Sequence, residues 1–377
     1  MRILLVGEYS RLHNSLKEGL LELGHEVVIV GSGDGFKNYP VDYRIEQKWE
    51  NGLRRKVKVA LYLLTGFNVT SYLSYKSFVQ IQHHLRGFDI VQLVNENSFN
   101  CTPKHEKKIL QYLFTNNKKS FLLSCGDDYI NVNFNFANPE RKSNVQPFID
   151  GKIKKKNFEN ILKFRRREFH DLHHFIMSYV SGIISSDLDY HVALQNHPKY
   201  LGLIPNPVNV DKIQPIKLTN NDVVKIFLGV NSESYYKKGL EYFEEALCKI
   251  GAEFTDDTDV CITKNVPYSE YITLYDEAHI LLDQVYANDQ GYNALEAMAK
   301  GKVVFTGAEE IFNRYYNIRE RVAVNAVPNS DTIVKELREL LCNRAEINKI
   351  GIRARAFVER EHHYVKVAQR YVDVWNQ

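Results

Sequence analysis

The seventeen residues from Asn288 to Val304, NDQGYNALEAMAKGKVV, hold the side chains best suited to chemistry. Gly291 lets backbone N–H groups come close to an anionic ligand. The apolar residues after it predict a helix whose positive N-terminal end points at that ligand. Glu296 falls about one and a half turns into this helix, where a carboxylate can accept hydrogen bonds from a ribose diol, as an acidic residue does in other nucleotide folds. Two loops in the first half also place acids after apolar runs: Gly7-Glu8-Tyr9-Ser10 after Ile3–Val6, and Cys125-Gly126-Asp127-Asp128 after Ser120–Ser124. The second of these equally suits a turn or a helix cap.

The elements that must hold these loops alternate along the chain. Apolar runs at Ile3–Val6, His25–Val30, Phe88–Val94, Ser120–Ser124 and Gly182–Ser185 predict buried strands. Helical periodicity lies between them at Asn14–Leu23, Lys104–Phe114 and a long stretch Phe158–Tyr179. This is the pattern of a doubly wound parallel sheet. The text LGLIPNPVNVD over Leu201–Asp211 has two prolines and no helical period, which marks a crossing between domains. A second series follows: strands at Val224–Gly229, Asp259–Thr263, Ile280–Asp283, Val303–Thr306 and Val322–Val324, with helices at Leu240–Ile250 and Ala294–Ala299 and three terminal helical segments. Two α/β halves in series imply a cleft between them.

With those residues placed, Asn288–Val304 resembles the signature of retaining nucleotide-sugar glycosyltransferases of family 4, which have the GT-B fold of two Rossmann-like domains. That signature has two Glu residues separated by seven positions, with a Gly between them and an Ala-Met-Ala helix after. Its second Glu matches Glu296 and its first falls on Asn288. Ile204-Pro205-Asn206-Pro207-Val208-Asn209 resembles the family's interdomain Ile-Pro-Asn-Gly-Val-Asp, and Lys225–Gly239 resembles its strand, Gly and Lys-Gly before a helix; the family's Arg after the strand Gly falls on Val230.

The resemblance implies domains at 1–205 (acceptor side) and 206–358 (donor side), with a terminal helix, 359–377, returning to the first. It implies catalytic roles for Lys238, Asp128 and Asn288, and donor contacts from Glu296, Gly291, Asp289, Gln290 and Lys237. Glu8 and Tyr9 lie where the family approaches its acceptor. Lys238, or Lys237 in its place, would meet the donor diphosphate through a charge-assisted hydrogen bond. Neither a cofactor nor an obligatory metal is implied. The implied activity is retaining transfer of a sugar from a nucleotide-diphosphate donor to a glycan or lipid-linked acceptor in surface-polysaccharide synthesis. The losses at Asn288 and Val230 keep open a non-catalytic sugar-nucleotide sensor, and a nucleotide-sugar epimerase would share the architecture.

Composition narrows the remaining classes. The chain has 377 residues, 44% hydrophobic and 25% charged, which excludes collagenous and disordered proteins. A net charge of +3 is small for a nucleic-acid binder. Five cysteines without a CxxC pair fit neither a disulfide framework nor a zinc ribbon and suit a reducing cytoplasm. The N-terminus turns polar after six residues, too early for a signal peptide, and no apolar run is long enough to span a bilayer. Two basic clusters stand beside apolar residues: Arg54, Arg55, Lys56 and Lys58, and a stretch from Lys152 through Lys154 to Arg165, Arg166 and Arg167. Both suit the anionic inner face of a cell membrane. Gly31-Ser32-Gly33-Asp34-Gly35 reads as a turn, since no clean helix follows it. His170, His173 and His174 lack a companion Glu-x-x-His pattern and are assigned no metal. His362 and His363 are expected on the surface of the terminal helices.

Overall fold

Strands buried on both faces read as unbroken apolar runs, and these runs become the two sheets. The structure, a computed structural model, describes residues 1–33, 39–46, 48–49, 52–216 and 223–377. The strands are β1 (Arg2–Val6), β2 (Glu26–Gly31), β3 (Tyr43–Arg44), β4 (Ile90–Leu93), β5 (Lys119–Ser124), β6 (Gly182–Ser185), β7 (Tyr200–Leu203), β8 (Val224–Val230), β9 (Thr258–Lys264), β10 (Ile280–Leu282), β11 (Val303–Thr306) and β12 (Val324–Asn325). They form a seven-stranded sheet in the order β3-β2-β1-β4-β5-β6-β7 and a five-stranded sheet in the order β12-β11-β10-β8-β9, with every strand pair parallel. Successive side chains serve opposite cores: Leu4 and Val6 of β1 enter one cluster, Ile3 and Leu5 the other. In the second sheet Ile226 and Leu228 face away from Phe227 in the same way. Strand order reverses at β1/β4 and at β8/β10, and ligands of open α/β sheets sit beyond the strand ends at such points.

This is the two-domain GT-B architecture. The terminal helix Tyr364–Trp375 returns to the first half, where Val367, Ala368, Tyr371 and Trp375 join Leu12, Leu16 and Leu20 of the helix Leu12–Glu22 in one core. A Cβ on Gly19 would stand 2.4 Å from the Tyr364 carbonyl oxygen, so this approach requires glycine. Trp375 Nε1 donates to Gln92 Oε1 at 3.0 Å. The chain thus crosses between halves twice, and the crossings are tied together: Val208 N donates to His362 O and Tyr364 N to Val208 O.

Three expectations change. The helix expected over Phe158–Tyr179 breaks into Lys155–Leu162, a short turn Lys163–Arg165 and Arg167–Tyr179, with Arg166 extended. Phe164 and Phe169, five residues apart, would point about 140° apart on one helix, and the break lets both enter the same core with ring centroids 5.0 Å apart. Within the expected crossing, Tyr200–Leu203 is the half-buried edge strand β7, ended by Pro205 and Pro207. His362, expected on the surface, is buried; its Nδ1 donates to Asn206 O at 2.8 Å, and burial lowers its pKa to about 4. Of the Gly31–Gly35 turn, Asp34 and Gly35 lie outside the described residues.

Candidate functional site

Glu296 sits on the helix Tyr292–Ala299, whose Ala294, Leu295, Ala297 and Met298 are buried behind it. The half-buried carboxylate lines a cavity of about 430 Å³ between the halves. Arg11 and Ser15 come to it from the first half, Asn209 and Lys212 from the crossing, and Tyr268 and Tyr292 from the second half. Burial, then the Glu296 charge, raises the phenols of Tyr39, Tyr268, Tyr275 and Tyr292. Arg11 follows Ser10 with two successive left-handed φ values, +76° after +51°, a strained stretch of backbone at the exit of β1. A second cavity, about 560 Å³, opens beyond β8 and β9 among Val230, Asn231, Asn265 and Tyr271.

The two lysines of Lys225–Gly239 face different ways. Gly239, at φ +67°, has room for no Cβ because Val285 Cγ2 would lie 2.2 Å away; it ends the short helix Tyr235–Lys238 and starts Leu240–Glu253. Lys238 Nζ donates to Asp283 Oδ1 at 2.9 Å. Asp283 is buried and also accepts from Asn293 Nδ2 at 3.3 Å. Lys237 lies toward Asp127 of the first half: burial raises the Asp127 carboxyl, and the Lys237 charge lowers it.

Asn288, where the family signature has Glu, donates through N and Nδ2 to Asp189 on the opposite half. A carboxylate therefore stands against this position from across the cleft. Asp187, Asp189 and Asp289 bring carboxylate oxygens within 4.8 Å of one another, the one group of this kind found among the described residues with spacing that could hold a metal ion. Their oxygens already accept from Tyr190 N, Asn288 and Leu188 N. Burial raises all three, and for Asp189 the Asn288 hydrogen bonds oppose it. Gln290 is buried and donates to Gly307 O at 2.6 Å, while Gly291 caps the Glu296 helix and lines the small cavity of about 170 Å³ beside the three acids.

On the first half, Glu8 accepts from Asn14 N at 2.8 Å and from Asn14 Nδ2, so it satisfies a first-turn N–H of the helix Leu12–Glu22. Tyr9 OH donates to Asn97 O at 3.2 Å. Asp128 caps the helix Tyr129–Ala137 by accepting from Asn131 N at 2.7 Å, and also accepts from Ser124 Oγ. Burial first, then the Glu96 charge, pushes its carboxyl up to about 7. Asp127 accepts instead from Asn144 Nδ2 at 2.8 Å. Cys125 precedes this pair, its thiol pushed up to about 12 by burial.

Arg11, Asp187 and Asp189 are the cleft residues missed from sequence. Asp187 and Asp189 follow a clean strand, Gly182–Ser185, and a carboxylate pair at the C-terminal end of a parallel strand is itself a signal. The buried pair of His173 with Glu96 gave none.

Residues 239–373 match a family model described as glycosyl transferase-like. No curated protein matches the chain. Among solved structures it is similar to sucrose-phosphate synthase from Thermosynechococcus elongatus, at 14% identity over 100% of this chain and 98% of that one, with a TM-score of 0.64. It is also similar to Anabaena HepE in complex with UDP and glucose, at 10% identity over 100% and 99%, TM-score 0.55. A third similar structure is a candidate UDP-N-acetylglucosamine 2-epimerase from Listeria monocytogenes, at 10% identity over 99% and 94%, TM-score 0.54.

Proposed function

We propose that the chain is a retaining glycosyltransferase moving a sugar from a nucleotide-diphosphate donor to a glycan or lipid-linked acceptor in surface-polysaccharide synthesis. The observation that carries this reading is the position of Glu296, on a helix inside the glycosyl transferase-like region, facing a cavity between the two halves. In this reading residues 1–205 form the acceptor domain, 206–358 the donor domain, and 359–377 the returning helix.

Glu296 accepts from the ribose hydroxyls. The diphosphate lies at the helix start near Gly291, within reach of Lys238 or Lys237, which stabilise the negative charge that develops as the bond from the anomeric carbon to the phosphate oxygen breaks. The acceptor hydroxyl enters from the Glu8–Tyr9 side, and Asp289, Gln290, Asn288 and Asp128 shape the sugar site. Lys238 would exchange its bond to Asp283 for the phosphate. Work at the inner face of the cell membrane brings one or both of the basic clusters, Arg54–Lys58 and Lys152–Arg167, toward anionic lipid.

Thermal shift against UDP-, GDP- and ADP-sugars identifies the donor, because a ligand that binds only the folded state raises stability. NMR of the product anomer with that donor and an acceptor then tests retention. An epimer formed without acceptor would replace this reading by the epimerase one. Binding without transfer or donor hydrolysis would leave a sensor.

A further inference from the structure

The helix Gly52–Thr65, GLRRKVKVALYLLT, has no buried residue. A 14-residue helix that buries no side chain is marginal in water, so its stability calls for a surface to lie on. Leu53, Val57, Leu61 and Leu64 follow at steps of four, four and three and share one face. Leu53 and Leu64 are 76% and 83% exposed, and Leu63 and the following Phe67 are exposed as well. At helical spacing Arg54 and Lys58 flank this stripe on one side and Lys56 on the other, and no acidic residue lies between Gly52 and Thr65. Among the described residues no ion pair engages Arg54, Arg55 or Lys56.

The second basic cluster is built differently. Lys152 bonds to Glu241 and Tyr242, Lys163 to Asn97 and Arg166 to Glu159, while Arg165 stacks over Phe136 at 4.2 Å. Its helix Lys155–Leu162 turns Phe158 and Ile161 into the core. These four cations have partners within the protein, and the apolar face beside them is used.

We propose that Gly52–Thr65, with Phe67, is an interfacial helix that lies in the surface of an anionic bilayer and carries the membrane contact of the enzyme. Leu53, Val57, Leu61 and Leu64 enter the acyl boundary, and Arg54 and Lys56 reach lipid phosphates, the arrangement that favours helices parallel to a bilayer. The charge pattern selects this occupant, since two copies of the helix face to face would set the same four cations against each other. The chain leaves β3, shortly before this helix, at the same edge of the parallel sheet from which the Gly7–Tyr9 and Cys125–Asp128 loops depart, so an acceptor held in lipid approaches from the side of the cleft. The inference rests on the membrane location proposed above and is independent of the transfer chemistry.

Flotation with vesicles of phosphatidylcholine alone, or containing phosphatidylglycerol, tests it on the full chain. The wild type is expected to float with phosphatidylglycerol at low salt. The Leu53→Ser/Leu64→Ser double variant should bind about 100-fold more weakly, about tenfold for each leucine withdrawn from lipid, and Arg54→Ser/Lys56→Ser should lose binding that salt also weakens. The triple variant Arg165→Ser/Arg166→Ser/Arg167→Ser should keep most of it. The side chains changed in the Leu53/Leu64 and Arg54/Lys56 variants are exposed, so the melting temperature of these two variants and its shift with donor sugar should match the wild type; loss of that shift in the wild type would count against the transfer reading and not this one. A wild type that ignores phosphatidylglycerol vesicles, a leucine variant that floats as well as the wild type, or self-association abolished by Leu53→Ser/Leu64→Ser would each overturn the proposal.

Discussion

Placing at position 288 the Glu of the signature that this segment resembles should damage the protein. In the structure Asn288 N donates to Asp189 Oδ1 at 3.1 Å, and Asn288 Nδ2 donates to the same oxygen. A Glu there would put a second carboxylate against Asp189, already beside Asp187 and Asp289. Two like charges about 4 Å apart at an effective dielectric near 20 repel by ~4 kcal/mol. The new carboxyl can escape by taking up a proton; holding a Glu of ordinary pKa ~4.3 neutral at pH 7 costs ~3.7 kcal/mol. Asn288→Glu is therefore expected to lose ~3–4 kcal/mol at pH 7 and only ~1 kcal/mol at pH 5. The sign follows from linkage: the folded state binds more protons than the unfolded one between pH 4.3 and the raised pKa, so stability falls as pH rises through that window. Asp189→Asn in the same chain returns the pair to one acid and one amide with sides exchanged, and should recover most of the loss. Urea unfolding of the four proteins of this cycle at pH 5 and pH 7 gives the coupling directly. Equal destabilisation by Asn288→Glu whether Asp189 is intact or carries the Asp189→Asn substitution, or a loss that does not change with pH, would refute the opposition of these two residues.

Glu296→Gln should weaken donor binding about tenfold, the difference between charged and neutral hydrogen bonds to the ribose, read by isothermal titration; unchanged affinity would remove Glu296 from the site. Lys238→Ala should lower both turnover and melting temperature, because it leaves the buried Asp283 carboxylate without its cation, whereas Lys237→Ala should lower turnover alone; a Lys238→Ala protein of wild-type stability would contradict the pairing. Burial lowers His13 to about 4 while its Nδ1 donates to Gly7 O. With the folded pKa below the unfolded ~6.5, its contribution is intact above pH 6.5 and is lost as pH falls toward 4, by up to ~3.4 kcal/mol. The stability of His13→Gln should therefore depend less steeply on pH in that window, and parallel curves would show that His13 titrates normally.

What could be read from the sequence follows the range of the interactions involved. Val303–Thr306 and Gly182–Ser185 announce themselves because central parallel strands are apolar on both faces. Tyr200–Leu203 does not, because an edge strand is only half-buried and the adjacent prolines mask it. Glu296 and Gly291 are legible because a glycine, a helix start and a carboxylate five residues on form one local device. The partner of Asn288 is not: Asp189 lies 99 positions away, and only the meeting of the two halves shows where the missing carboxylate stands. The same holds for His173, whose partner Glu96 is 77 positions off, and for Lys238, which the resemblance implies at the donor diphosphate while its bond to Asp283 is invisible in the sequence. The helix Gly52–Thr65 is a reverse case, since its amphipathic pattern resembles that of a core helix and only the exposure of its side chains sets it apart.

The returning helix Tyr364–Trp375 also sets a schedule for biosynthesis. The first sheet has all its strands once Leu203 has left the ribosome, yet the groove formed by Leu12, Leu16 and Leu20 stays bare until Tyr364–Trp375 is made. At ~5–20 residues per second, that interval is roughly 10–30 s. Throughout it the nascent N-terminal half carries an open apolar groove, a natural docking place for a chaperone. A message truncated shortly before codon 364 would leave that groove open for good, so termination at that point should give an aggregating product even though the proposed donor domain is complete.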